Sequence, residues 1–176
     1  MFKGSAITVT MLDGGIAELN FDLQGESVNK FNTQTVLELE EALGILDDSD
    51  DVKGLLLTSS KGVFLVGADI TEFVPLFGKG EGQVGSHLAK NHDNFNLLED
   101  LDFPTCIAIN GYAMGGGLEL ALACDFRIMS TAAKIGLPET KLGIIPGWGG
   151  TVRLPRVDGA DTAIDWICSG KDQRPD

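Results

Sequence analysis

Two glutamates in this 176-residue chain stand where proton transfer could be done. Glu119 lies two positions after three consecutive glycines, Gly115 to Gly117, in "NGYAMGGGLELALACDFRI". Glu139 follows a proline in "IGLPETKLGIIPGWGG". Glycine is costly in ordered structure, so three together imply that the backbone itself approaches something. Read as strand, turn and helix, the first segment starts a helix near Gly117, because "LELALACD" carries strong helix formers. Free N–H groups at a helix start, with no side chains in the way, suit an anion or a developing oxyanion. A phosphate loop would need lysine and a hydroxyl where Leu118 and Glu119 stand, and the GxGxxG fingerprint is absent. An oxyanion that forms only during reaction fits better, with the nearby carboxylate moving the accompanying proton. On the glycines alone, tight helix–sheet packing with Glu119 as a helix-dipole partner is an equal reading.

"FLVGADI", residues 64–70, is a second glycine-containing turn after a buried strand, and its backbone could add a second donor. Pro138 fixes the chain ahead of Glu139, among Leu137, Leu142, Ile144 and Ile145. Apolar surroundings would raise the pKa of Glu139 and suit it to general acid–base work, divided with Glu119. Taken singly, a glutamate after proline is more often a solvated loop residue. The two histidines, His87 and His92, have no serine or cysteine partner, and His92 reads as a boundary residue. No His/Asp/Glu cluster has metal-ligand spacing, so no metal is expected.

The elements that must position these groups alternate between strand and helix, which predicts an α/β fold. "AITVTMLDGGIAELNFD" reads as a hairpin turning at Asp13-Gly14-Gly15. "NTQTVLELEEALGILDD" places Val36, Leu39, Leu43 and Leu46 on one helical face and Glu38, Glu40 and Glu41 off it. "VKGLLLTSS" and "PTCIAIN" are buried strands, the second leading into the glycine run. Residues 75–85, "PLFGKGEGQVG", read as a mobile loop, with a helix following from about Ser86 to Asp100. "FRIMS" and "AKIGL" are short strands, and "GADTAIDWICSG" is a last helix ending at Gly170.

The formal charge of −13 argues against nucleic acid or an anionic membrane surface as partner. Cys106, Cys124 and Cys168 form neither a disulfide framework nor a zinc motif, and are expected to be buried thiols in a reducing cytosol. No signal peptide and no membrane-spanning run is expected, which points to the cytoplasm. "WICSGKDQRPD" stops just after a helix-like segment, so the chain is expected to be the front part of something longer.

In order and spacing, "FLVGADITEF", "NGYAMGGGLELALACDFRI", "GLPETKLGIIPGWGGTVRLPR" and "SGK" resemble the crotonase superfamily, the enoyl-CoA hydratase/isomerase family, over nearly the whole chain. "ESVNKFNTQTVLELEEAL" is similar to the N-terminal domain of the alpha subunits of bacterial fatty-acid oxidation complexes. The resemblance implies one domain over residues 1–176, a spiral of ββα units lacking its C-terminal helical part. It implies an acyl-CoA substrate whose thioester oxygen sits between the backbone N–H groups of Ala68 and Gly116. Glu119 would activate water for addition to trans-2-enoyl-CoA and Glu139 would protonate the alpha carbon, with the Gly147 amide assisting. Gly67, Asp69, Ile70, Gly115, Gly147 and Trp148 match the flanking substrate-binding and water-positioning positions. The same glutamates would shift a double bond from position 3 to position 2. This domain would need no cofactor, NAD serving only a dehydrogenase part beyond it. A thiolase beta subunit would be the partner, and homo-oligomers are allowed. Two other readings stay open: another acyl-CoA reaction of the superfamily, and a non-catalytic acyl-CoA-binding fragment.

Overall fold

The computed structural model describes residues 1–175. A six-stranded sheet runs through it in the order β1 (Phe2–Lys3), β2 (Ile7–Met11), β3 (Ile16–Phe21), β4 (Gly54–Ser59), β5 (Thr105–Ile109) and β7 (Phe126–Met129). The first three strands pair antiparallel, and β3, β4, β5 and β7 pair parallel. A second, parallel pair joins β6 (Tyr112–Met114) to β8 (Lys134–Gly136). The expected α/β class is the one observed. The hairpin turns where its sequence places it, with Gly14 at φ 79° in the left-handed region that glycine tolerates.

Register carries the core through the sheet. Leu19 lies beside Leu57, and Leu57 beside Ile107; all three are completely buried. Helix α1 (Thr33–Asp47) is capped by the Asn32 side chain, which accepts from the Thr35 N–H. Its Val36, Leu39, Leu43 and Leu46 face inward as the helical period demands. Glu38 departs from the expected solvent face. It is 5% exposed, and its carboxylate accepts from the backbone N–H groups of Ser5, Ala6 and Ile7. Burial pushes its pKa up, but these bonds and those of the Gln34 and Ser5 side chains outweigh burial and bring it down to about 2.

Residues 75–85 are not one loop. Helix α2 (Phe73–Phe77) takes up their start, and helix α3 (Glu81–Glu99) begins at Glu81, well before the expected Ser86. Only the turn around Gly80, at φ 89°, breaks the two helices. Phe95 and Leu98 anchor α3 in the core, whereas Leu88 stays partly exposed. After α4 (Gly116–Ala123), two helices close the described chain: α5 (Gly150–Asp158) and α6 (Ala160–Ser169), which ends at Gly170 in the left-handed region. Neither β6 nor α5 has a sequence signal strong enough to stand out, since β6 is three residues long and α5 contains Pro155. Of the three cysteines only Cys124 is buried; Cys106 is half-buried and Cys168 exposed. Among the described residues no helix is long and apolar enough to cross a membrane.

Candidate active site

Three segments meet around a cavity of about 780 Å³: residues 66–70 beyond β4, the turn from β6 into α4, and residues 138–152. The first two touch through glycine. Gly67 sits at φ 91°, and a Cβ on it would lie 2.8 Å from the Met114 carbonyl oxygen and 3.4 Å from the Gly116 nitrogen. Gly67 and Asp69 pair with Phe31, the Gly67 carbonyl accepting from the Phe31 N–H and the Asp69 N–H donating to the Phe31 carbonyl. The Ala68 N–H between them therefore points to the other side of the chain. Gly116 opens α4, so its N–H has no acceptor within the helix.

The glycine run divides its work. Gly117 is the packing position: a Cβ there would overlap the Leu65 carbonyl. A Cβ on Gly116 would overlap the Trp148 ring, which lies against it. Gly115 adopts φ 53°, ψ −125°, and a Cβ on it would come within 3.0 Å of Glu139 Oε1. Close packing is therefore the work of Gly117, while Gly115 leaves space beside the cavity.

Glu119 is 2% exposed. The N–H groups of Trp148 and Gly150 both donate to its Oε1 at 2.8 Å. Burial raises its pKa, opposed by these two bonds and by the positive charge of Arg153. Glu139 is 8% exposed and stands in the short 3-10 turn Pro138–Leu142, entered through proline. Its Oε2 is buried and has no hydrogen-bond partner among the described residues. Burial pushes its pKa up to about 7; its own backbone N–H opposes this and the charge of Glu119 adds to it. Two carboxylates thus line one cavity in different environments. Glu119 is held by donors on one oxygen, and Glu139 has an oxygen with nothing to bond until a ligand or water arrives. Such a pair can take a proton at one point and give one at another.

Gly67, Ala68, Ile70, Gly115, Gly116, Gly147 and Trp148 all line this cavity with the two glutamates. Asp69 does not. It faces a neighbouring hollow, where it pairs with Lys30 at 3.0 Å and accepts from Thr71. The amides that hold Glu119 belong to Trp148 and Gly150. Sequence reasoning missed Gly150, as well as the apolar wall of Phe73, Leu76, Phe77 and Leu88 that α2 and α3 supply. The Gly149-Gly150 pair is a usable signal for the amides; Leu76 and Phe77 of the wall lie in the segment read as a loop. His87 also lines the cavity, with its ring centroid 6.2 Å from that of Trp148, and burial lowers its pKa.

The family profile described as enoyl-CoA hydratase/isomerase matches residues 12–176. The chain is 56% identical over 174 residues to the fatty acid oxidation complex subunit alpha of Pseudomonas aeruginosa, covering 99% of this chain and 24% of that protein. Identity to the corresponding subunit of Pseudomonas putida is 55% over the same span. The chain thus spans about a quarter of the length of the curated relatives it matches. Among solved structures, an enoyl-CoA hydratase from Bacillus anthracis superposes with a TM-score of 0.88 at 34% identity, covering 96% of this chain and 64% of that one. An enoyl-CoA hydratase from Thermoplasma volcanium gives 0.88 at 27% identity, covering 97% and 66%. The expected crotonase-like architecture is therefore the one present, and the chain belongs to the enoyl-CoA hydratase/isomerase family.

Proposed function

We propose that this chain carries the enoyl-CoA hydratase step of fatty-acid beta-oxidation, adding water to trans-2-enoyl-CoA to give 3-hydroxyacyl-CoA. The observation that carries the reading is the meeting of two buried carboxylates, Glu119 and Glu139, in one cavity beside the Ala68 and Gly116 turns. The thioester oxygen would lie between those two N–H groups. As water attacks the beta carbon, negative charge moves onto that oxygen, where each donor is worth roughly 3 kcal/mol. Glu119 takes the water's proton, and Glu139 gives a proton to the alpha carbon. The electron pair of the carbon–carbon double bond becomes the new C–H bond. The same two groups would carry a proton between carbons 2 and 4 in shifting a double bond from position 3 to position 2. Thioester hydrolysis, decarboxylation and dehalogenation in this superfamily usually use a different acid–base set, so the Glu119 and Glu139 pair speaks against them.

This domain would need no cofactor, acyl-CoA being the substrate. By likeness to the alpha subunits, the parent protein would also carry an NAD-dependent 3-hydroxyacyl-CoA dehydrogenase, would partner a thiolase beta subunit and would work in the cytoplasm. The test follows the loss of enoyl-thioester absorbance with crotonyl-CoA. Turnover by the chain, cut by about 10²–10⁴ in Glu119→Gln and in Glu139→Gln, is the expected result. Near-normal turnover in either variant would remove that residue from the mechanism.

A further inference from the structure

We infer that Arg153 is a positioning residue of this site, tying helix α3 to the turn that holds Glu119. Its guanidinium is almost fully buried, with 6% of the side chain exposed. Every one of its nitrogens has an acceptor. Nε and Nη2 donate to Glu99 Oε2 at 2.9 and 2.7 Å, and Nη2 also donates to Asn96 Oδ1 at 2.8 Å. Nη1 donates to the Trp148 carbonyl at 3.2 Å. The chain makes room for this: a Cβ on Gly149 would overlap Nη1, and Gly149 sits at φ 106°. The Arg153 backbone N–H in turn donates to the Gly149 carbonyl at 2.8 Å. The Arg153 side chain thus joins α3 to the Trp148 carbonyl, and its backbone N–H holds the Gly149 carbonyl, in the turn whose Trp148 and Gly150 amides grip Glu119 Oε1.

The charge matters as well as the tether. A buried arginine without partners would be costly, and Glu99 and Asn96 satisfy it from outside the site. Glu99 is half-exposed, so solvent screens its charge, and the guanidinium keeps a net positive influence on Glu119. The other titratable groups facing Glu119 are Glu139, which opposes its ionisation, and His87 and His92, which line the same cavity. Arg153 is the cation among them that favours the ionised, proton-accepting form of Glu119. Lysine would keep the charge but could not make the planar fork to Glu99, Asn96 and Trp148 together.

The inference rests on the hydration reading for its kinetic consequence, but not for its structural one. The test has two arms. In the first, carboxyl-13C glutamate labelling follows Glu119 through a pH titration in the wild type and in Arg153→Met, with Glu119→Gln to assign the signal. This arm needs no activity. The expected result is a higher midpoint in Arg153→Met; an unchanged midpoint in the folded variant overturns the inference. In the second, crotonyl-CoA hydration is measured against pH in Arg153→Met and Arg153→Lys. Arg153→Met should lose at least tenfold in kcat at pH 7, with the deficit relative to wild type at the same pH narrowing as pH rises and KM changed by less than threefold. Arg153→Lys should lose kcat at constant KM with less movement of the acid limb. Should Arg153→Met fail to fold, Arg153→Lys carries the test, and kcat within twofold of wild type would overturn the proposal. A wild type that shows the titration but no hydration would defeat the hydratase reading and leave the role of Arg153 standing.

Discussion

Replacing Glu139 by glutamine should move activity and stability in opposite directions, and the stability change should depend on pH in a way that can be worked out. The carboxyl sits at 8% exposure, and its pKa is raised from its ordinary 4.5 to about 7. A carboxyl whose pKa is higher in the folded state opposes folding once it must ionise. Well below pH 4.5 both states are protonated and the term vanishes. As pH rises through 4.5 the unfolded chain releases its proton first, and the folded state falls behind until about pH 7. At roughly 1.4 kcal/mol per unit, the wild type gives up about 3 kcal/mol by pH 8, of which less than 1 kcal/mol is already lost at pH 5. Glutamine has no proton to release, so Glu139→Gln should be the more stable protein, and its advantage should grow by ~2.5 kcal/mol between pH 5 and pH 8. For a chain of this size that is a widening of the melting-temperature gap by about 5–10 °C. The assay is thermal unfolding of both proteins at pH 5, 6.5 and 8, beside crotonyl-CoA hydration at the same pH values. Turnover should fall by about 10²–10⁴ in the variant while it melts higher. A melting gap that stays constant across this range would refute the claim that Glu139 is held protonated by burial. In the wild type, kcat/KM should decline on the alkaline side near pH 7, as the acid loses its proton.

Three further outcomes follow from packing and charge. Glu38→Gln should lose about 2–3 kcal/mol at pH 7 in urea unfolding, because the folded-state pKa of about 2 lies below the ordinary 4.5. That stability is present above pH 4.5 and disappears as pH falls toward 2, so the gap between variant and wild type should shrink on acidification. Gly117→Ala should destabilise by about 1–3 kcal/mol by thermal melt, since its Cβ meets the Leu65 carbonyl, which is backbone and cannot swing away. Gly116→Ala should push on the Trp148 ring and so shift the Trp148 N–H from Glu119; kcat for hydration should drop at least tenfold even at temperatures where circular dichroism shows a folded chain.

What was legible in the sequence was what depends on neighbours in the chain. The 3.6-residue period of Val36, Leu39, Leu43 and Leu46, the Asp13-Gly14-Gly15 turn and the Gly170 stop each act within a few residues, and each appears where the sequence puts it. The convergence of residues 66–70, 115–119 and 138–152 on one cavity is a long-range fact. It was reached through three short motifs whose chemistry had to be complementary to make sense together. Glu38 shows where this fails. Its helical position says solvent, yet the N–H groups of Ser5, Ala6 and Ile7 are brought to it from a distant turn, and no local pattern announces that.

Residues 75–85 failed for the opposite reason: local signals were read too strongly. Several glycines in a short stretch suggested a chain without structure, but glycine weakens a helix by only about 1 kcal/mol per residue. Burial of Phe95 and Leu98 further along α3 supplies several times that, and propagation of a helix from an anchored end costs little. The consequence reaches the site. Because α3 extends back to Glu81, Val84 lines the cavity from the same helix as His87 and Leu88, and Asn96 and Glu99 further along it reach Arg153. One helix therefore joins the apolar wall to the brace behind Glu119. Shortening it from its first turn should disturb the mouth of the cavity before it disturbs the carboxylate, because the buried Phe95 anchor stands between the two.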